Sequence, residues 1–152
     1  MEKIFILIIT LFIFTLSGCS SETNAYLVRV GGPRFNHGSS YVINSVEELI
    51  EYVDGTYNNF DDAVEKYDEE YFKNSALIIA EIVKNSGSAK LTLKSIDVKE
   101  EILIIKFKTR TPSIVTCDMA YWHILVECSQ EEANSISSIE VYDIGKLVEG
   151  RA

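Results

Sequence analysis

The chain has 152 residues, 47% apolar and 24% charged, enough for one domain with a core of its own. Its formal net charge is −9 and its isoelectric point is near 4.7. That balance argues against a nucleic-acid partner, whose binding depends on cations neutralising phosphates. It also gives no general attraction to anionic lipid.

Residues 1–18 carry only Glu2 and Lys3 as charges, and Ile4 to Phe14 is apolar apart from Thr10. At about 1.5 Å per residue that run falls well short of the roughly 30 Å hydrocarbon core, so it predicts a signal peptide and not a permanent span. Leu16-Ser17-Gly18-Cys19 follows and resembles a bacterial lipobox. The resemblance implies cleavage before Cys19, a diacylglyceryl group on its sulfur and a further acyl chain, such as palmitate, on its amine. Two or more chains anchor a protein stably where one holds it only marginally. The expected organisation is a signal peptide at 1–18, a lipidated Cys19 with a polar tether at 19–24, and one domain at 25–152. The expected location is the extracytoplasmic face of the cell membrane.

Ala25 to Val30 alternates like a strand, and Gly31-Gly32-Pro33 opens a loop that runs through Ser39. Tyr41 to Ile43 is a candidate short strand. Ser45-Val46-Glu47-Glu48 has the form of a capping box, with Val46, Leu49, Ile50 and Val53 at helical spacing behind it. A second helix is expected from Phe60 to about Tyr71, on a stripe of Phe60, Ala63, Val64, Tyr67 and Tyr71. Both helices are amphipathic and acidic outside.

From Ala76 the period changes to two. Ala76, Ile78, Ala80 and Ile82 oppose Leu77, Ile79, Glu81 and Val83, and Asn85-Ser86-Gly87-Ser88 is a turn. Between Ala89 and Val98 the phase slips, with Leu91 and Leu93 odd and Ile96 and Val98 even, which predicts a β-bulge near Lys94-Ser95. Leu103, Ile105 and Phe107 begin the next strand, ended by Thr111-Pro112. Tyr121 to Cys128 alternates Trp122, Ile124, Val126 and Cys128 against Tyr121, His123, Leu125 and Glu127. Ser138 to Asp143 is a last strand. The order predicts an α+β fold: a curled, mostly antiparallel sheet or partial barrel, with two amphipathic helices near the N-terminal side and an antiparallel meander after them.

The densest chemistry is Thr116 to Cys128, with the lone tryptophan, one of two histidines and two of three cysteines. A Cys117–Cys128 disulfide is disfavoured. The strand between them spans about 23 Å, four residues retrace at most about 14 Å, and the Cα atoms must come within about 7 Å. Cys117, Asp118 and His123 could act as nucleophile, orienting acid and base, but no cation or helix N-terminus nearby lowers the thiol pKa. The four Cys, Asp and His positions lack the close pair of a structural zinc site. No catalytic residue, metal or cofactor is assigned. Ser88 and Lys90 share a strand face, which suits a turn serine and a surface lysine better than a dyad.

Residues 84–110 hold seven cations against Asp97, Glu100 and Glu101, a net of +4 in an acidic chain. The bulged register sets Lys90 opposite Arg110, Thr92 opposite Lys108 and Lys94 opposite Lys106, and facing like charges destabilise a sheet. The acidic helices or solvent could neutralise this face. Alternatively, Lys90, Lys94, Lys106, Lys108 and Arg110 form a docking patch for an anionic wall polymer or acidic protein.

Tyr71-Phe72-Lys73-Asn74-Ser75-Ala76-Leu77-Ile78-Ile79, Ser86-Gly87-Ser88 and the Thr116–His123 block together resemble a family of uncharacterised secreted proteins and lipoproteins of low-GC Gram-positive bacteria. The likeness covers roughly Ser45 to Glu127. More distantly, the layout is similar to the C-terminal domain of the protease-complex lipoprotein PrcB. In place of that domain's Pro-Thr-Gly-Gly-Tyr turn this chain has Asn85-Ser86-Gly87-Ser88-Ala89. The expected function is a membrane-anchored, non-enzymatic binding module that engages or regulates a protease or other envelope protein. Its candidate binding residues are Ser86, Gly87, Ser88, Thr116, Asp118, Trp122 and His123. The competing expectation is a thiol-dependent enzyme using Cys117 and His123.

Overall fold

In a computed structural model, residues 23–30, 39–54 and 65–146 are described. The expected signal peptide, Cys19, most of the tether, the Gly31–Gly38 loop, and Phe60, Ala63 and Val64 lie outside them. The fold is α+β with two open sheets. One has the order β1 (Asn24–Val30), β6 (Ala120–Ser129), β3 (Ser75–Lys84), β2 (Ser40–Ile43), and the other β4 (Lys90–Lys99), β5 (Ile102–Arg110), β7 (Ser138–Asp143).

The alternation of β3 and β6 explains the layering. Leu77, Ile79 and Leu125 face a cluster built on Leu49 of helix α1 (Val46–Asp54), Tyr67 and Phe72. Ile78, Ala80, Ile124 and Val126 face Leu103, Ile105 and Phe107 of the second sheet. Both faces of the central pair are therefore buried, and the layers run helices, first sheet, second sheet. Burial of that apolar surface is the main stabilising term, at roughly 25 cal/mol per Å².

The bulge falls where the phase slip predicts, with the register shifting between Leu93 and Ser95. Lys94 is the extra residue, so Lys106 faces Ser95, not Lys94. The other two expected oppositions, Lys90 with Arg110 and Thr92 with Lys108, are present. Strands β4 and β5 are joined through Glu100 and Glu101, both left-handed with φ of 49° and 65°. Two-residue hairpin loops that match strand twist demand such angles, and Asn-Gly is their usual occupant.

Three expectations are corrected. The meander is split: the turn after β3 carries the chain into the other sheet, and β3 pairs with β6. The last strand, β7, is parallel to β5, because α3 (Gln130–Ser135) carries the chain between sheets behind a Ser129/Glu132 capping box. The second helix does not run unbroken to Tyr71. Glu65 and Lys66 are helical, Tyr67 and Asp68 are not, and Asp68 caps a separate turn, α2 (Glu69–Phe72), by accepting the Tyr71 N–H at 2.9 Å. In α1, Ser45 Oγ accepts the Glu48 N–H at 3.2 Å, and Glu48 reaches back to the N–H of Asn44. The apolar stripe is turned slightly from expectation, since Ile50 is 42% exposed while Tyr52 packs inward.

Candidate binding cleft

The Ser86–Ser88 turn and the Thr116–Asp118 loop, thirty residues apart in sequence, are hydrogen-bonded to each other. Thr116 Oγ1 accepts the Ser88 N–H at 3.1 Å and lies 3.2 Å from Ser86 Oγ. Asp118 Oδ1 accepts the Gly87 N–H at 3.0 Å. Ser86 Oγ also contacts Ser88 Oγ at 2.7 Å, and Ser86 is buried although polar. Gly87 leaves room for the Asp118 carboxylate. A Cβ there would stand 2.0 Å from Asp118 Oδ2, far inside contact distance. Hydrogen bonds from Thr116 and the Gly87 N–H, together with the charge of Arg29, hold the Asp118 carboxyl below its usual range.

Below this junction opens a cleft of about 670 Å³ lined by Lys84, Ser86, Thr109, Val115 and Asp143, among others. Lys84 Nζ bonds Asp143 Oδ2 at 2.6 Å. Thr109 donates to the same carboxylate through its hydroxyl and its N–H, and Gly145 through its N–H. Burial pushes the Asp143 carboxyl up, but the Lys84 ammonium and these donors outweigh it and hold the carboxyl at about 2. A second cleft of about 530 Å³, lined by Ser88, Lys90, Arg110, Thr111, Pro112 and Ser113, meets the first at Thr111.

Two expected members of the site lie elsewhere. Trp122 packs between the sheets, with the Arg29 guanidinium 6.0 Å over its ring and its Nε1 buried without a hydrogen-bond partner among the described residues. Its parity sends it to the interior, where apolar contact outweighs one lost hydrogen bond. His123, on the opposite face of β6, is 4% exposed. Its ring lies 3.2 Å from the Tyr52 hydroxyl, which donates to Glu81 Oε1 at 3.0 Å. With its own proton directed at Glu81, the phenol oxygen is left to accept from the imidazole, whose tautomer the contact selects. Burial lowers the His123 pKa to about 4. It also raises that of Tyr52, helped by Glu81.

Cys117 and Cys128 are both free thiols, Cys117 exposed on the loop and Cys128 half-buried. Burial, then the charge of Glu132, pushes the Cys128 thiol up to about 11. The proposed thiol–imidazole pairing is therefore divided between an exposed loop and a buried cluster under α1. Among the described residues no group of three or more His, Cys, Asp or Glu could hold a metal, and no helix is long and apolar enough to cross a membrane.

The basic patch lies on the outer face of the second sheet. The described helical residues pack on the far side of the first sheet, away from the outer face of the second. Lys106 meets Asp97 at 3.7 Å, while Lys90, Lys108 and Arg110 form no ion pair among the described residues. Searches against protein-family models, curated proteins and solved structures find no match.

Proposed function

We propose that this chain is a lipid-anchored extracytoplasmic binding module, non-enzymatic, that holds an envelope partner at the pole formed by the two clefts. The observation that carries the reading is the hydrogen-bonded junction of Ser86–Ser88 with Thr116–Asp118. It braces a polar rim over open clefts, and loops held rigidly by a scaffold are where binding residues concentrate. The lipobox at Leu16–Cys19 supports the anchor, and the PrcB-like layout makes a protease a candidate among protein partners.

The test uses full-length chain in intact Gram-positive cells fed a clickable fatty acid. A photoreactive residue is placed at Ser113 in one strain and at Glu47, on α1, in another. The expected result is labelled protein, no label in Cys19→Ala, and crosslinks from position 113 that are absent from position 47. Label retained in Cys19→Ala would remove the anchor. Equal crosslinking from both positions would remove the cleft as the site.

A further inference from the structure

We infer that the outer face of the second sheet at the cleft pole binds a linear polyphosphodiester, an extended polymer with a fixed negative charge in each repeat. The inference rests on the proposal that this pole is the binding site, and adds the chemistry of what occupies it.

The first observation is a pair of like charges with no ion-pair partner among the described residues. Lys90 and Arg110 are directly opposed across β4 and β5, and both are exposed. Opposed like charges cost stability in an antiparallel pair. An anion lying between them converts that repulsion into two attractions, and the Arg110 fork can take two phosphate oxygens at once.

The second observation is spacing. Lys106, Lys108 and Arg110 alternate along β5 on one face, about 6.6 Å apart, and Lys106, farthest from the cleft, is the one already met by Asp97. Lys90 lies beside this row on the neighbouring strand. The result is a narrow strip of charge, suited to a stretched polyanion with its charges set at a similar interval. A compact acidic surface would not follow the row.

The third is the set of neutral groups at its end. Ser88, Thr111 and Ser113 line the cleft that also contains Lys90 and Arg110, and offer hydroxyl donors to phosphate or polyol oxygens. The carboxylate of the adjoining cleft, Asp143, is already held by Lys84, Thr109 and Gly145. It therefore presents little free charge to repel an incoming anion.

Topology separates this end from the expected anchor. Asn24 is level with Leu77, since both pair with Glu127. Lys84 is seven residues farther along β3, or about 23 Å. The described chain begins at the opposite pole, which favours a polymer over the headgroups of a membrane holding the expected anchor.

The experiment measures binding of full-length protein in detergent micelles to poly(glycerol phosphate). Inorganic phosphate, polyglutamate and phosphatidylglycerol vesicles are parallel arms. Three phosphate contacts predict a log–log salt slope of about −2, so binding weakens about fifteenfold between 50 and 200 mM salt. Lys90→Gln/Lys108→Gln/Arg110→Gln should abolish that binding while holding or raising the melting temperature, because an opposed pair of like charges is relieved. Polymer binding unchanged in this variant overturns the inference. So does binding of polyglutamate at equal affinity, or binding of vesicles in preference to polymer. Failure here with position-113 crosslinks intact would remove the ligand class and leave the binding site standing.

Discussion

His123 gives the fold a proton-linked weakness that can be measured. Its imidazole is enclosed by Tyr52 of α1, with the Tyr41 ring packed at a tilt beyond, and by Glu81 of β3. The ring stays neutral in the folded protein down to about pH 4, whereas in the unfolded chain it takes up a proton near pH 6.5. Between those values the unfolded state binds more protons, so stability rises with pH. The contribution is complete above about 6.5 and is lost as pH falls toward 4. Two and a half pK units at about 1.4 kcal/mol each make this about 3 kcal/mol. The Glu81 carboxylate, 3.9 Å from the ring, favours the imidazolium and makes that figure an upper one. Urea unfolding of wild type and His123→Gln at half-unit steps from pH 4.5 to 7.5 is the assay. Glutamine keeps a polar partner for Tyr52 but does not titrate, so the wild-type profile should be steeper by up to about 1.4 kcal/mol per pH unit. Parallel profiles across pH 4.5–6.5, or a wild type that gains stability on acidification, would refute the reasoning.

Two more perturbations test the second sheet, one at each end. Glu100→Asn/Glu101→Gly puts the preferred pair into a turn whose φ values are 49° and 65°, and should stabilise the protein by about 1–2 kcal/mol. The backbone carbonyl of residue 101, which accepts from the Ser137 N–H, is retained, so an unchanged or lower melting temperature would count against the turn assignment. Asp143→Asn should cost on the order of 1–2 kcal/mol at pH 7, discounted for solvent at the cleft. The folded pKa of Asp143 is depressed to about 2, so its contribution is present above about pH 3.8 and is lost as pH falls toward 2. The gap between variant and wild type should close in that window, and a gap independent of pH would contradict the ion pair.

The strands and their faces were legible because period-two alternation survives in β3 and β6 even where both faces are buried. The bulge was legible for the same reason, since a phase slip has no other cheap remedy in a paired strand. Alternation cannot say which sheet a strand joins. A Ser-Gly-Ser turn between apolar strands reads as a hairpin, yet β3 and β4 belong to different layers. The α3 crossover had a visible signal, the Ser129-x-x-Glu132 box, hidden by the strand pattern running straight into it. The site was half visible. Turn chemistry marked Ser86–Ser88 and Thr116–Asp118, and the structure joins them. The Lys84–Asp143 pair closes over 59 residues, and local sequence carries no record of such a pairing. Trp122 and His123 were prominent by rarity alone, and their alternation on β6 already sent them to opposite interiors.

The register of β1 has a kinetic consequence. Tyr26 pairs with Leu125 and Val30 with Tyr121, so the first strand of the domain must wait for the sixth. The β4–β5 hairpin, closed by two residues, can form on the microsecond scale. Closing β1 onto β6 spans most of the chain, and such non-local contacts slow folding. Until β6 is available, β1 is an unpaired edge beside the segment expected to carry the lipid. The domain is therefore most exposed to aggregation and proteolysis before β6 arrives to pair with β1.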